Sequence, residues 1–195
     1  MTAMQPIVAI AAGDPAGIGP ELSLKAALDD RVRGLCRPLL VGDPDVVARQ
    51  AKSCGIGADI RVVDDVAAAA NSNGGVTLLA CRAPDAAEIA FGANSAASGR
   101  ASLAAASTAI KAALAGKVDA VVAAPQNQTS ISLAGIEFDG YPSFVARETG
   151  LSRDDVYLML CFGEMKIVHC TLHASVREAI GLITRERVGH VIAVA

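Results

Sequence analysis

A short apolar run followed by a longer, helix-patterned segment recurs along the chain from residue 7 to residue 124. The runs are rich in Val, Ile, Leu and Ala, and several stop at Gly, Asp or Pro, which is typical of buried strands. This succession predicts an α/β fold with a mostly parallel sheet. The predicted strands are Ile7–Ala12, Arg37–Val41, Ile60–Val63, Val76–Leu79 and Asp119–Ala124, and the predicted helices are Glu21–Leu28, Asp45–Ser53 and Ser98–Leu114.

The composition fits such a fold. Hydrophobic residues make up 52% of the 195 residues and charged residues 19%, so the chain can bury a substantial core. Aromatic residues make up only 3%, and Trp is absent. The core is therefore predicted to consist of Ala, Val, Leu and Ile, which suits helices packed closely on a parallel sheet.

Charge and leader features exclude several classes of partner. The formal net charge is −3, and no Lys/Arg cluster indicates a nucleic-acid surface. Met1–Pro6 lacks the basic and apolar regions of a signal peptide, and no apolar window has the length of a membrane span. The five cysteines form no C-x-x-C pair, and several lie inside apolar runs, which favours buried free thiols in a reducing compartment. A cytoplasmic protein without a membrane or nucleic-acid partner is predicted.

The pattern changes after Pro125, where polar loops and short strand-like runs begin. We therefore expect a first α/β domain over residues 1–125 and the start of a second over residues 126–195. The last apolar run stops at Ala195 without a closing Gly or Pro, which predicts that the second domain is incomplete here. The expected elements are polar loops at 126–130 and 138–142, helices at 143–149, 175–182 and 184–194, and a hairpin of strands 156–161 and 166–171.

The loop Gly13–Glu21 follows the first predicted strand and has the sequence Gly-Asp-Pro-Ala-Gly-Ile-Gly-Pro-Glu. A Gly-rich turn between a strand and a helix exposes backbone N–H groups to an anionic ligand. Its glycine spacing is neither that of a dinucleotide fingerprint nor that of a P-loop. A ligand-binding loop and a merely tight turn both remain open. The acids Asp14 and Glu21 are assigned to helix capping or to the site.

Five ordered segments together resemble the 4-hydroxythreonine-4-phosphate dehydrogenases of pyridoxal phosphate biosynthesis, the PdxA family. The resemblance covers the whole chain, from the Gly13–Glu21 loop onward. The other segments are Ser98–Ala101, Asp119–Pro125 with Asn127, Phe138–Phe144 where members carry Gly-His-Thr-Glu-Phe, and Thr171–His173 where members carry Thr-Thr-His.

The resemblance implies an architecture like that of isocitrate and isopropylmalate dehydrogenases. Two α/β/α domains would enclose a cleft, and a homodimer would complete the active site. The implied reaction oxidises a secondary alcohol of a small-molecule substrate with NAD, after which the β-keto acid loses carbon dioxide. The implied divalent metal (zinc, magnesium, manganese or cobalt) would stabilise the developing alkoxide.

His173 matches the family's first metal-ligand histidine and is expected at the end of the strand 166–171. One ligand cannot hold a metal alone, so further donors are required. His169 lies four residues earlier, about 13 Å away at roughly 3.3 Å per residue if both lie on a strand. His169 is therefore interpreted as a packed or solvated strand residue, and His190 as a surface or interface residue.

The predicted substrate-binding residues depart from the family pattern. Tyr141-Pro142 stands in place of His-Thr, and Asn127-Gln128 in place of Asn-Lys, so polar groups and one cation are lost. Each group of the original ligand that is left unpaired weakens its binding by about 1–3 kcal/mol. We therefore expect a changed substrate.

The leading hypothesis is NAD- and metal-dependent oxidation, with decarboxylation, of 4-hydroxythreonine 4-phosphate or a related phosphorylated hydroxy acid. One alternative is a dehydrogenase of a different diol. Another is a non-catalytic remnant that binds a small anion or a partner. The catalytic and NAD-contacting residues are not assigned.

Overall fold

The computed structural model describes residues 5–70 and 75–195, which divide into two compact units after Glu137. The first unit contains a five-stranded, fully parallel sheet in the order β3-β4-β2-β1-β5. The predicted α/β class with a parallel sheet is thus confirmed. The strands are β1 Ile7–Ala11, β2 Arg37–Gly42, β3 Ile60–Val63, β4 Val76–Ala80 and β5 Ala120–Ala123.

Five α-helices are described in the first unit, and local capping signals explain where several begin. The Asp43 carboxylate accepts hydrogen bonds from the backbone N–H groups of Asp45 and Val46, and the Ser95 hydroxyl accepts one from Ser98. The short helix α2 was not predicted, because six residues are too few for a clear helical period. The helices are α1 Gly19–Leu28, α2 Asp30–Leu35, α3 Pro44–Ser53, α4 Ala96–Leu114 and α5 Gln128–Leu133.

The core lies on both faces of this sheet. Ile10, Leu40 and Leu78 are paired neighbours on β1, β2 and β4, and they pack against α1 and α3. The helix α4 packs on β1, β2 and β5 and contributes nothing to that cluster, so it covers the other face. Apart from Pro15 and Pro20, the described buried apolar side chains of this unit are all Ala, Val, Leu or Ile, as the composition predicted.

The first unit extends to Glu137, whereas the sequence placed the domain boundary at Pro125. Residues 128–133, which belong to a predicted polar loop and its continuation, form α5 instead. This helix packs closely on α4, because the backbone of Gly99 lies against Ser130 and Ile131. The contact between two helices thus keeps residues 126–137 in the first unit.

The second unit, Phe138–Ala195, contains the predicted antiparallel hairpin. Its strands are shorter than expected, and the second one ends at Val168 instead of Thr171. The turn residue Gly163 has a φ of 56°, which suits a two-residue hairpin loop. Ser175 and Glu178 form a capping box at the start of a helix. The elements are α6 Tyr141–Thr149, β6 Met159–Phe162, β7 Met165–Val168, α7 Val176–Leu182 and α8 Arg185–Val194.

Within the described ranges, every helix is too short or too polar to cross a membrane. All five cysteines are unbridged, as predicted, although Cys54 and Cys161 are exposed.

The cap of α2 gives a prediction about pH. The Arg31 guanidinium and backbone N–H hydrogen-bond to the Asp29 carboxylate and lower its pKa to about 2. A depressed pKa means that this contribution to stability is present above the ordinary carboxyl pKa and is lost as the pH falls through about 2. We expect an NMR titration to give this low pKa, and Arg31→Gln to raise it. Lys52→Gln removes the same charge outside this cap and should leave the Asp29 pKa unaltered.

Candidate functional site

The predicted site residues are divided between the two units. Asn127 and Gln128 belong to the first unit, and Tyr141, Pro142 and His173 belong to the second. Each group is described within its own unit.

The loop after β1 meets the chain after β5 at the carboxyl end of the sheet, where the strand order reverses and ligands bind in many α/β proteins. Gly13 has a φ of 74°, and a Cβ there would lie 2.4 Å from the Pro125 carbonyl oxygen. The Asp14 N–H donates to that oxygen at 2.8 Å. The buried Asp14 carboxylate accepts from the N–H of Ala16 at 2.9 Å. Close packing therefore accounts for both residues as parts of a tight turn.

Asp14 and Glu21, which were expected to cap the helix or to belong to the site, have different roles in the structure. The residue before α1 is Ile18, whose side chain makes no cap, so Asp14 caps its own loop instead of the helix. Glu21 lies in the first turn of α1 and pairs with Lys25. Lys25 holds the pKa of the Glu21 carboxyl below its ordinary value.

Asn127 and Gln128 lie at the start of α5. The Asn127 side-chain oxygen accepts from the N–H of Ser130 at 3.0 Å, and its amide donates to the Asn94 side chain at 2.9 Å. Both ends of this predicted substrate-binding amide thus already have protein partners. Gln128 is the first residue of the helix and is exposed.

Two of the three predicted residues in the second unit line one cavity of about 310 Å³, namely Pro142 and His173. Pro142 lies in the first turn of α6, where its missing N–H costs no helical hydrogen bond. Tyr141 does not line this cavity, and its ring packs edge-on against Phe138 at 5.9 Å between centroids. Other lining residues that the sequence did not identify include Asp139, Ser143, Arg153, Asp154, Cys170 and Arg187.

His173 is exposed and has a left-handed backbone, with a φ of 49°. Its Nε2 atom would lie 3.5 Å from a Cβ at Gly140, so the imidazole lies against the start of α6. Because β7 ends at Val168, His173 does not directly follow a strand, which corrects the predicted placement.

The other two histidines also differ in their surroundings. His169 is not on a strand, which corrects the sequence interpretation, and it lines the same cavity as His173. Its Nδ1 atom is buried without a hydrogen-bond partner among the described residues. His190 is exposed and lies 3.3 Å from the Asp155 carboxylate, which agrees with a surface position.

The charged residues of the cavity are already paired. Arg153 donates to the Asp139 carboxylate, and the Arg187 Nη1 donates to Asp154 at 3.2 Å. The Ser143 hydroxyl, with smaller contributions from Arg153 and His173, holds the pKa of Asp139 below its ordinary value. The Arg187 Nε also donates to the carbonyl of Cys170 at 2.6 Å, three residues before His173. These pairs join residues that are far apart in the sequence, so no local sequence pattern predicted them.

The described residues do not by themselves form a metal centre. No group of three or more His, Cys, Asp or Glu in residues 5–70 and 75–195 is arranged to hold an ion. His173 stays a predicted ligand, because one side chain needs further donors to hold a metal.

A family model described as "Pyridoxal phosphate biosynthetic protein PdxA" matches residues 34–195. The chain belongs to the PdxA family. Individual relatives agree with this assignment. A D-threonate 4-phosphate dehydrogenase of Bordetella bronchiseptica is 34% identical over 97% of this chain and 54% of its own length. A 1,2-dihydroxy-3,5-cyclohexadiene-1,4-dicarboxylate dehydrogenase of a Comamonas species is 35% identical over 100% of this chain and 58% of its own.

The fold of this PdxA-family chain matches a solved structure. The crystal structure of a 4-hydroxythreonine-4-phosphate dehydrogenase from Burkholderia phymatum superposes with a TM-score of 0.86 at 30% identity. The superposition covers 97% of this chain and 56% of the solved chain. The chain thus spans a little over half the length of the relatives it matches.

Proposed function

We propose that this chain forms part of a homodimeric dehydrogenase that oxidises a phosphorylated hydroxy acid related to 4-hydroxythreonine 4-phosphate. The observation that carries the proposal is the PdxA family match over residues 34–195. The relatives from Bordetella and Burkholderia, which are named for phosphorylated hydroxy acids, support the substrate class.

The proposed reaction converts a secondary alcohol to a ketone, with loss of a hydride from carbon and a proton from the hydroxyl. The carboxylate β to the new ketone then leaves as carbon dioxide, and the electron pair of the broken C–C bond forms an enolate that takes up a proton. NAD as hydride acceptor and a divalent cation (zinc, magnesium, manganese or cobalt) belong to this proposal through the family resemblance. His173 is the one residue assigned to the metal, and Asn127, Gln128, Tyr141 and Pro142 are assigned to the substrate.

A second candidate is oxidation of a diol that carries carboxylates and no phosphate. The family pattern has a Lys beside an anionic substrate at this position, whereas Gln128 is neutral. The loss of this cation favours a substrate without a phosphate. The Comamonas relative, named for a cyclohexadiene diol dicarboxylate, supports the same alternative.

A substrate panel tests both proposals. The protein is incubated with NAD and each divalent metal, and NADH formation is followed with 4-hydroxythreonine 4-phosphate, D-threonate 4-phosphate and the cyclohexadiene diol dicarboxylate. We expect the highest kcat/KM with a phosphorylated acid other than 4-hydroxythreonine 4-phosphate. Activity on 4-hydroxythreonine 4-phosphate alone would contradict a changed substrate, and activity on the diol alone would establish the second candidate. No activity on any of them, from this chain or from a longer chain that contains it, would favour the non-catalytic alternative. Light scattering tests the homodimer.

The role of Gln128 gives a separate prediction. Gln128→Lys restores the cation of the family pattern and should raise kcat/KM about tenfold for phosphorylated substrates, because a charge-assisted hydrogen bond is worth about 1.5–3 kcal/mol. The diol dicarboxylate should gain less, since carboxylates carry less charge than a phosphate. Thr129→Lys adds the same charge at the next exposed residue and serves as the control. An equal gain from both variants would show a general charge effect and contradict a role for position 128.

A further inference from the structure

The amino end of α6 lacks the acidic side chain that its sequence block is expected to provide. The residue before the helix is Gly140, which has no side chain to cap it, and Ser143 is the third helical residue. Gly140–Phe144 corresponds to Gly-His-Thr-Glu-Phe in the family pattern, so Ser143 stands where that pattern has Glu. An acid at the third position can reach back to the cap backbone and interacts favourably with the helix dipole.

Asp139 provides a carboxylate at the same helix end from the position before the cap. One of its oxygens accepts a hydrogen bond from the Ser143 hydroxyl, and the other accepts from Arg153 Nη2. The Ser143 hydroxyl also contacts the carbonyl of Gly140 at 3.2 Å. The carboxylate therefore links the first turn of α6 to the segment that carries Arg153.

The His173 imidazole lies against this arrangement. Its Nε2 atom lies next to Gly140, with 3.5 Å to the point where a Cβ would be. Asp139, Ser143, Arg153 and His173 all line the same cavity. A shift of Gly140 would therefore move the surface on which the imidazole lies.

We propose that Asp139 is a positioning residue that fixes Gly140, against which the His173 imidazole lies, and holds Arg153 at the same cavity, and that it supplies the carboxylate which a Glu at position 143 would otherwise supply. The positioning role rests on the contacts within the second unit. Only its expected effect on turnover rests on the proposed function.

Nuclear Overhauser effects in the isotope-labelled 195-residue protein test the position of the imidazole directly. We expect an effect between the His173 ring protons and the Gly140 α protons, and its loss in Asp139→Ala. Adding Ser143→Glu to that variant should restore the effect, because the longer acid reaches the same helix end. Asp155→Ala is the matched control, since it removes an acid of the same unit that pairs with His190. It should leave the His173 effect unchanged.

The outcomes separate the two proposals. Retention of the effect in folded Asp139→Ala, or its loss in Asp155→Ala, would overturn the positioning role. Failure of the added Glu to restore it would overturn the exchange of one carboxylate for the other. If Asp139→Ala does not give a cooperative thermal transition, Asp139→Asn replaces it, with the same expectation of loss.

A kinetic readout follows once the panel has identified a substrate. Asp139→Ala should lower kcat/KM about tenfold, in line with the loss of one hydrogen-bonded charge, and Ser143→Glu should recover most of this. Absence of activity, both in this chain and in a longer chain that contains it, would refute the proposed dehydrogenase, while the Overhauser experiment would still decide the role of Asp139.

Discussion

Replacing Gly99 by alanine is expected to destabilise the protein by about 3 kcal/mol or more, as an overpacked contact between two backbones. Gly99 lies inside α4, where alanine ordinarily stabilises a helix by about 1 kcal/mol relative to glycine. Here the added Cβ would lie 2.2 Å from the Ser130 carbonyl oxygen and 2.7 Å from the Ile131 nitrogen. These are backbone atoms of α5, so relief requires the two helices to separate. Urea unfolding followed by circular dichroism measures the change.

Gly34→Ala is the matched control for this effect. Gly34 also lies in a helix, α2, but no atom lies within 4 Å of the position of its Cβ. The same substitution should therefore stabilise the protein by about 0.5–1 kcal/mol. Equal effects of the two substitutions would mean that the α4–α5 contact is not as close as described.

His173→Asn is expected to reduce kcat/KM by at least about 100-fold, if His173 is a metal ligand of the proposed dehydrogenase. Changes even to residues that support metal ligands cost about 10–100-fold, and loss of a ligand should cost more. Asn is chosen because it tolerates the left-handed backbone that His173 adopts, with a φ of 49°. The fold should therefore survive. Steady-state rates at a series of metal concentrations measure the effect, and the metal requirement should increase.

His190→Asn is the control for the histidine experiment. His190 is exposed and pairs with Asp155, and it is not among the described residues that line the cavity. We expect its activity to stay within about twofold of the parent, as for a surface substitution. A comparable loss in both variants would argue against a specific role for His173.

Local sequence signals predicted most elements of the first unit. The runs 37–41, 60–63 and 76–79 are strands in the structure, because their β-branched and aliphatic side chains suit a parallel sheet covered by helices, although β3 at the edge exposes Arg61 and Val62. Several helix starts also follow from nearby residues alone. The Ser175–Glu178 capping box and the Thr184 cap each satisfy backbone groups within three residues of the cap.

The candidate site was predicted less completely. Motif positions identified Pro142 and His173, which line one cavity. The pairing of Asp139 with Arg153 was missed, because fourteen residues separate them and only Asp139 lies within a motif segment, at a position to which the motif assigns no role. The helix α5 was also missed, since its Ser- and Thr-rich sequence is neutral toward helix formation until it packs on Gly99.

The sequence by itself determined the α/β class, the PdxA family and the parallel strands. The spacing of apolar residues, the turn residues and each motif involve residues close together in the chain, and the order of the motifs can be seen in the sequence directly. Only the tertiary structure decided that residues 126–137 belong to the first unit and that β7 stops before His169. It also decided that Asp139 and His173 share a cavity. Those features depend on close contacts between segments distant in the chain, and such contacts leave no periodic signal in the sequence.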